Sequence, residues 1–244
     1  MRKQFLAVLL AWLMLTSPAW AARSFNGSSQ SASTGSTVTV SGLSAITVAF
    51  WLKVSSFGSG VYLESSPNSN SNTGAFSVTY GTTGSCTNLF YFYEKGTSWY
   101  QVVGFTAPST GAWHQFTLVI GDLVSASKAY VDGGSQSLTT CSSSGTGSTF
   151  TNQNLYLMAR NNASGWTSGS LAEVAVFAAT LNANQALALA SCTPDTIGVN
   201  PVFYAPMWGA DSPEPELSGN ANNVSLTGTP PMANHPPVKP CGRD

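Results

Sequence analysis

In the run ITVAFWLKV, Ile46, Val48, Phe50 and Leu52 fall on one side of an extended chain, and Thr47, Ala49, Trp51 and Lys53 on the other. That period of two predicts a strand with one face in a core. Similar short runs recur along the chain: STVTVSG from Ser36, AFSVTYG from Ala75, NLFYFYEKG from Asn88, WYQVVGF from Trp99, WHQFTLVIG from Trp113, KAYVDGG from Lys128, NLYLMAR from Asn154 and SLAEVAVF from Ser170. Turn residues separate them, the pattern of an antiparallel sandwich. Helical spacing occurs in LNANQALALAS, where Asn182 can cap the first turn and Gln185, three residues on, can return the bond. The predicted fold class is all-β, a two-sheet antiparallel sandwich with one short helix near the C-terminal end.

The N-terminal segment departs from this pattern. Arg2 and Lys3 precede an apolar run from Phe5 to Leu15, and Ala19-Trp20-Ala21 offers a cleavage site after Ala21. Residues 1–21 therefore read as a secretory signal peptide, with an apolar core about half the roughly 20 residues a membrane span requires. No cysteine follows closely enough to accept a lipid. The expected location is secreted or periplasmic. Residues 22–228 are read as one β-domain, and residues 229–244 as a Pro-rich extended tail.

Charge narrows the partners. Only 8% of the residues are charged, and removing Arg2 and Lys3 leaves 7 basic against 10 acidic residues, a formal net of −3. Nucleic acid binding needs clustered Lys and Arg, which this chain lacks, so no nucleic acid partner is expected. A surface rich in Ser, Thr, Asn and Gly suits neutral polymers. Cys86, Cys141, Cys192 and Cys241 form no Cys-x-x-Cys pair. In an exported chain they read as two disulfides, with Cys86–Cys141 and Cys192–Cys241 the favoured pairing among three.

Laid end to end, AITVAFWLKVSS, GAWHQFTLVIGD, KAYVDGG, GSLAEVAVFAATLNANQALALAS and PELSGNANNVSLTG resemble, in order, the strands, hairpin and helix of the laminin G-like and concanavalin A-like lectin family in its bacterial and phage-type form. The resemblance implies two curved sheets in a jelly-roll arrangement, glycan or protein ligands bound at loops, and in some members calcium. Shared fold does not by itself transmit function.

Hydrolytic members of this fold carry several acids on alternate strand positions, and retaining glycosidases need two carboxyl groups about 5 Å apart. Glu173 stands alone in GSLAEVAVF, with Leu171, Ala175 and Phe177 expected on its face. It is therefore read as a structural carboxylate. No catalytic residue is assigned, and there is no Gly-x-Ser-x-Gly elbow. The function expected is a lectin-like module for a glycan or extracellular ligand. The alternatives are a glycosidase or lyase on the same fold, or a protein-binding adhesion module. Tyr91, Tyr93, Trp99, Tyr100 and Trp166 are the candidate ligand-binding rings, because apolar ring faces beside polar groups suit sugars. Asp122 and Asp132 are candidate oxygen ligands for calcium, while zinc is disfavoured because no cysteine or histidine spacing fits it. Asp132 also fits the tight turn expected at Asp-Gly. Asp211, Glu214 and Glu216 share one Pro-stiffened turn, either solvated or around an ion.

Overall fold

A computed structural model describes residues 21–97, 100–143, 147–208 and 212–242, with the side chains of Ala21 and Tyr100 outside that description. The segment read as a signal peptide, through residue 20, and Trp99 and Asp211 lie outside the described residues. Two eight-stranded sheets face each other. The first holds β1 (Ala21–Asn26), β3 (Ala45–Lys53), β8 (Trp113–Gly121), β9 (Lys128–Val131), β10 (Gly134–Ser135), β13 (Ser168–Phe177), β14 (Phe203–Ala205) and β16 (Met232–Asn234). Its order is β10-β9-β8-β3-β13-β1-β16, with β14 also on β13. The second runs β11-β7-β6-β5-β4-β12-β2-β15 and comprises β2 (Ser31–Thr34), β4 (Gly60–Ser65), β5 (Phe76–Thr83), β6 (Cys86–Lys95), β7 (Tyr100–Phe105), β11 (Thr139–Ser142), β12 (Leu155–Leu157) and β15 (Val224–Thr227). All pairings between these strands are antiparallel. The chain is an all-β sandwich of the expected class.

The alternation in β3 has the predicted consequence. Ile46, Val48, Phe50 and Leu52 enter the core, while Ala49 and Trp51 belong to clusters on the outer side. Aromatic rings join the sheets through the middle. Phe116 of β8 stacks on Phe50 with centroids 5.1 Å apart and on Phe90 of β6 at 4.9 Å. Full burial of each such ring contributes about 2–3 kcal/mol. The one α-helix among the described residues, α1 (Ala183–Leu189), starts with the reciprocal Asn182 and Gln185 bonds read from the sequence.

Three segments differ from expectation. STVTVSG forms no strand among those above; Val38 makes only an isolated bridge to Gln153. The strand lies just before it, in SAST, where Ala32 is the core residue and Ser33 pairs with Tyr156 and Ser225. Within the segment read as a tail, Met232–Asn234 pairs with β1, and Cys192 bridges Lys239. The disulfides are Cys86–Cys141 and Cys192–Cys241, and the second fastens this segment to the end of α1.

The third difference is a bulge at Glu173. Ala172 pairs with Trp51 and Ala175 with Ala49, so two residues of β13 stand opposite one of β3. Glu173 takes a φ of 53°, the left-handed conformation such a bulge can require. The extra residue resets the alternation. Leu171, Val174 and Val176 face the core, leaving Ala172, Ala175 and Phe177 on the outer side with Glu173. Leu171 is thus not on the face of Glu173, as unbroken alternation predicted.

Candidate functional site

On β6, Phe90 and Phe92 are fully buried in the core, while Tyr91 and Tyr93 point to the outer side of the second sheet. Thr79 stands opposite Tyr91 and Ser77 opposite Tyr93. There the two tyrosines line an open pocket of about 540 Å³ with Asn70, Thr79, Val102 and Arg160. Tyr93 is 6% exposed and Tyr91 half-buried. The Cys86–Cys141 bridge packs with Tyr93 and Val102, closing one end of this face.

Two loops build the walls. In Arg160-Asn161-Asn162-Ala163, both asparagines have positive φ, at 51° and 53°, and the Ala163 amide donates to the Arg160 carbonyl. Asparagine tolerates that conformation better than most residues, which is why the pair can make so tight a turn. Asn162 then ties the turn to β2 through Ser31 and Ser33. On the other side, Asn68 Oδ1 accepts from the Asn70 amide, and Asn70 Oδ1 accepts from the Tyr93 hydroxyl at 2.7 Å. Gly60 lies under the first loop; a Cβ there would sit 2.8 Å from the Gly165 carbonyl oxygen, so only glycine lets the loop approach.

The charged centre of the pocket is Arg160. Its Nε donates to Glu64 Oε1 at 3.1 Å and Oε2 at 3.0 Å, and the Ser69 amide donates to the same carboxylate at 2.7 Å. Glu64 is fully buried. Desolvation opposes the Arg160 charge, and the Glu64 contacts more than offset it, so the guanidinium is held firmly ionised. Burial pushes the Tyr93 hydroxyl up to about 12, with the Ser69 hydrogen bond pulling the other way; burial also raises Tyr91. Both phenols therefore remain neutral donors at ordinary pH. Among the described residues, no carboxylate lines the pocket.

Of the other candidate rings, Trp166 is half-buried in the loop that supplies Ser164 and Gly165 to the pocket rim, but it is not itself in the lining. Tyr100 pairs with Lys95 through its backbone. Arg160, Asn70 and Glu64 were not singled out from the sequence. The double asparagine after Arg160, in a loop that also carries Trp166, is the signal that points to that turn.

Glu173 lies on the opposite side of the molecule, on the outer face of the first sheet beside Trp51, Gln115 and Leu189. It is 1% exposed, and its oxygens accept from the Tyr204 hydroxyl at 2.6 Å and face His235 Nε2 at 2.9 Å. Burial and the adjacent Glu173 charge push the Tyr204 hydroxyl far above its usual range. Tyr204 belongs to β14, and His235 joins the network to the segment after β16.

Asp132 and Gly133 form the turn between β9 and β10, with φ of 51° and 77°. The Asp132 carboxylate is already occupied: Oδ2 faces His114 Nδ1 at 2.7 Å and Oδ1 accepts from the Gln115 amide at 2.8 Å. Ser109 Oγ stands 3.1 Å from His114 Nε2, giving a Ser-His-Asp row. Ser109 is exposed and the Asp132 side chain 47% exposed, so water competes freely at this row, which braces the turn. Asp122 is half-buried and repels the buried Glu94 carboxyl. Among the described residues, no three His, Cys, Asp or Glu side chains converge as a metal-binding group. Glu214 pairs with Arg23, and Glu216 Oε1 accepts from the Tyr204 and Ser218 amides.

The family model described as Concanavalin A-like lectin/glucanases superfamily, Laminin_G_3, matches residues 26–186, and the chain belongs to that family. Among solved structures it is similar to a candidate carbohydrate binding protein from Bacteroides ovatus, with 15% identity and a TM-score of 0.59 over 90% of this chain. The chain spans 61% of that protein's length. It is also similar to the heptameric SAP-like pentraxin of Limulus polyphemus, at 15% identity and a TM-score of 0.54, covering 87% of this chain and 96% of that one. At such identity these likenesses show the fold. A search of curated proteins finds no match.

Proposed function

We propose that the protein is an exported, non-catalytic carbohydrate-binding module, and that its ligand occupies the pocket over Tyr91 and Tyr93. The observation that carries this reading is the pocket itself. A phenol face, neutral hydroxyls, the Asn70 amide and a charged guanidinium converge on about 540 Å³, enough for one or two sugar rings. The absence of a carboxylate from the described lining favours holding over hydrolysis, since a glycosidase needs a pair. The likeness to the candidate carbohydrate binding protein from Bacteroides ovatus supports the same class of ligand. Export is supported by the basic and apolar start of the sequence and by the two disulfides, which persist in oxidising compartments.

The test is a glycan array probed with the chain lacking residues 1–21, followed by calorimetry on whatever is retained. Tyr91→Ala should weaken binding by about tenfold, roughly the worth of one ring contact. Unchanged affinity in that variant would remove the pocket from the reading. Release of reducing ends or double bonds from a polysaccharide panel would replace the binding module by an enzyme.

A further inference from the structure

Arg160 uses only one of its nitrogens on its partner. Nε serves both Glu64 oxygens, while among the described residues neither terminal nitrogen has a hydrogen-bond partner, although the side chain lines the pocket. Glu64 accepts from Nε and the Ser69 amide, and it is fully buried, so it cannot swing out to serve a ligand. The result is a guanidinium with a fixed plane and an unoccupied outer edge beside Tyr91 and Tyr93.

The balance of donors and acceptors matters here. Sugar hydroxyls donate as well as accept, so a neutral sugar gains most where carboxylates or free carbonyls receive its protons. This pocket supplies little of that. Its one nearby carboxylate is spent, and Asn70 Oδ1 already accepts from Tyr93. Charge points the same way. Among the described lining residues Arg160 is the one charged side chain, so the pocket wall carries positive charge.

We infer that the ligand of this pocket is an acidic glycan, held by a sugar carboxylate against the terminal nitrogens of Arg160 with its ring over Tyr91. This rests on the carbohydrate-binding reading above and names the class of sugar. A planar carboxylate matches the two parallel N–H groups of the guanidinium, and each such charge-assisted bond is about twice as strong as a neutral one.

Oligogalacturonate, oligomannuronate and sialyllactose, each beside its carboxyl-reduced counterpart, are titrated calorimetrically against the native chain, against Arg160→Lys, and against the double variant Glu64→Gln with Arg160→Gln. The double variant is needed because removing Arg160 alone strands a buried carboxylate and endangers the fold; thermal melting checks each protein. At least one acidic ligand should bind, weaken about tenfold on carboxyl reduction, and weaken further as salt rises. Arg160→Lys should lose about as much, since it keeps the charge but not the fork. Equal binding of the neutral counterparts overturns the acidic class and leaves the carbohydrate reading standing. Retained acidic binding in a folded double variant overturns the role of Arg160. Failure of every glycan on the array and in titration overturns both.

Discussion

Single buried side chains divide into those the fold satisfies and those it leaves wanting. Glu64 and Glu173 are both nearly or fully buried, and each is matched by donors: Arg160 and the Ser69 amide for one, Tyr204 and His235 for the other. Glu94 is different. It is fully buried, neither oxygen has a well-aligned hydrogen-bond partner among the described residues, and burial pushes its carboxyl up to about 8 from an ordinary 4.5. Nearby amides at Ser148 and Gly74 and the Lys95 charge pull down without cancelling that, and Asp122 adds to the rise. The folded chain therefore keeps this proton where the unfolded chain has released it, over the window from about 4.5 to about 8. Stability from Glu94 is fully present below that window and falls as pH climbs through it. Glu94→Gln should flatten this slope, so that denaturant midpoints of variant and native protein are close at pH 4.5 and the variant lies higher at pH 8. A native midpoint that does not fall across that range would show that Glu94 ionises normally.

Strands show why some of this was legible in the sequence and some was not. Strict alternation in ITVAFWLKV and NLFYFYEKG identified the core faces of β3 and β6, and with them the outward tyrosines, because period two depends only on neighbours along the chain. The bulge at Glu173 was hidden because it is set by a mismatch with β3, more than a hundred residues away, and so the sequence pattern misplaced Leu171. The polar strand SAST was hidden because Ala32 is its one apolar anchor; its other gains come from pairing with β12 and β15. Arg160 was missed for the same reason, since its partner Glu64 is brought near only when β12 pairs with β4. The short β16 likewise offers no periodic signal, yet the residue that follows it, His235, closes over Glu173. His235→Ala should cost about 1–3 kcal/mol in urea unfolding, the penalty of removing one partner from a buried carboxylate. Glycan affinity should not move, because Glu173 and the pocket occupy opposite sheets. A loss of binding with unchanged stability would mean that this network reaches the ligand after all.

Across the molecule, the sandwich carries the proposed binding groups on one outer face and the strap over Glu173 on the other, and the two disulfides follow the same division. Cys86–Cys141 ties the edge strand β11 to β6 beside Tyr93, while Cys192–Cys241 ties the segment after β16 to the end of α1. Sequence separations of 55 and 49 residues give each bridge a similar effect on the unfolded chain, about 4 kcal/mol on a loop-entropy account. Their effects on binding should differ. Replacing Cys86 and Cys141 by serine loosens the packing under Tyr93 and Val102, so both the melting temperature and the affinity for the captured glycan should fall. Replacing Cys192 and Cys241 should lower the melting temperature by a comparable amount and leave the affinity of the still-folded protein as it was. Calorimetric titration at a temperature well below both melting points separates these outcomes. An equal loss of affinity in the two variants would show that the pocket depends on the stability of the whole sandwich rather than on the local frame around Tyr91, Tyr93 and Arg160.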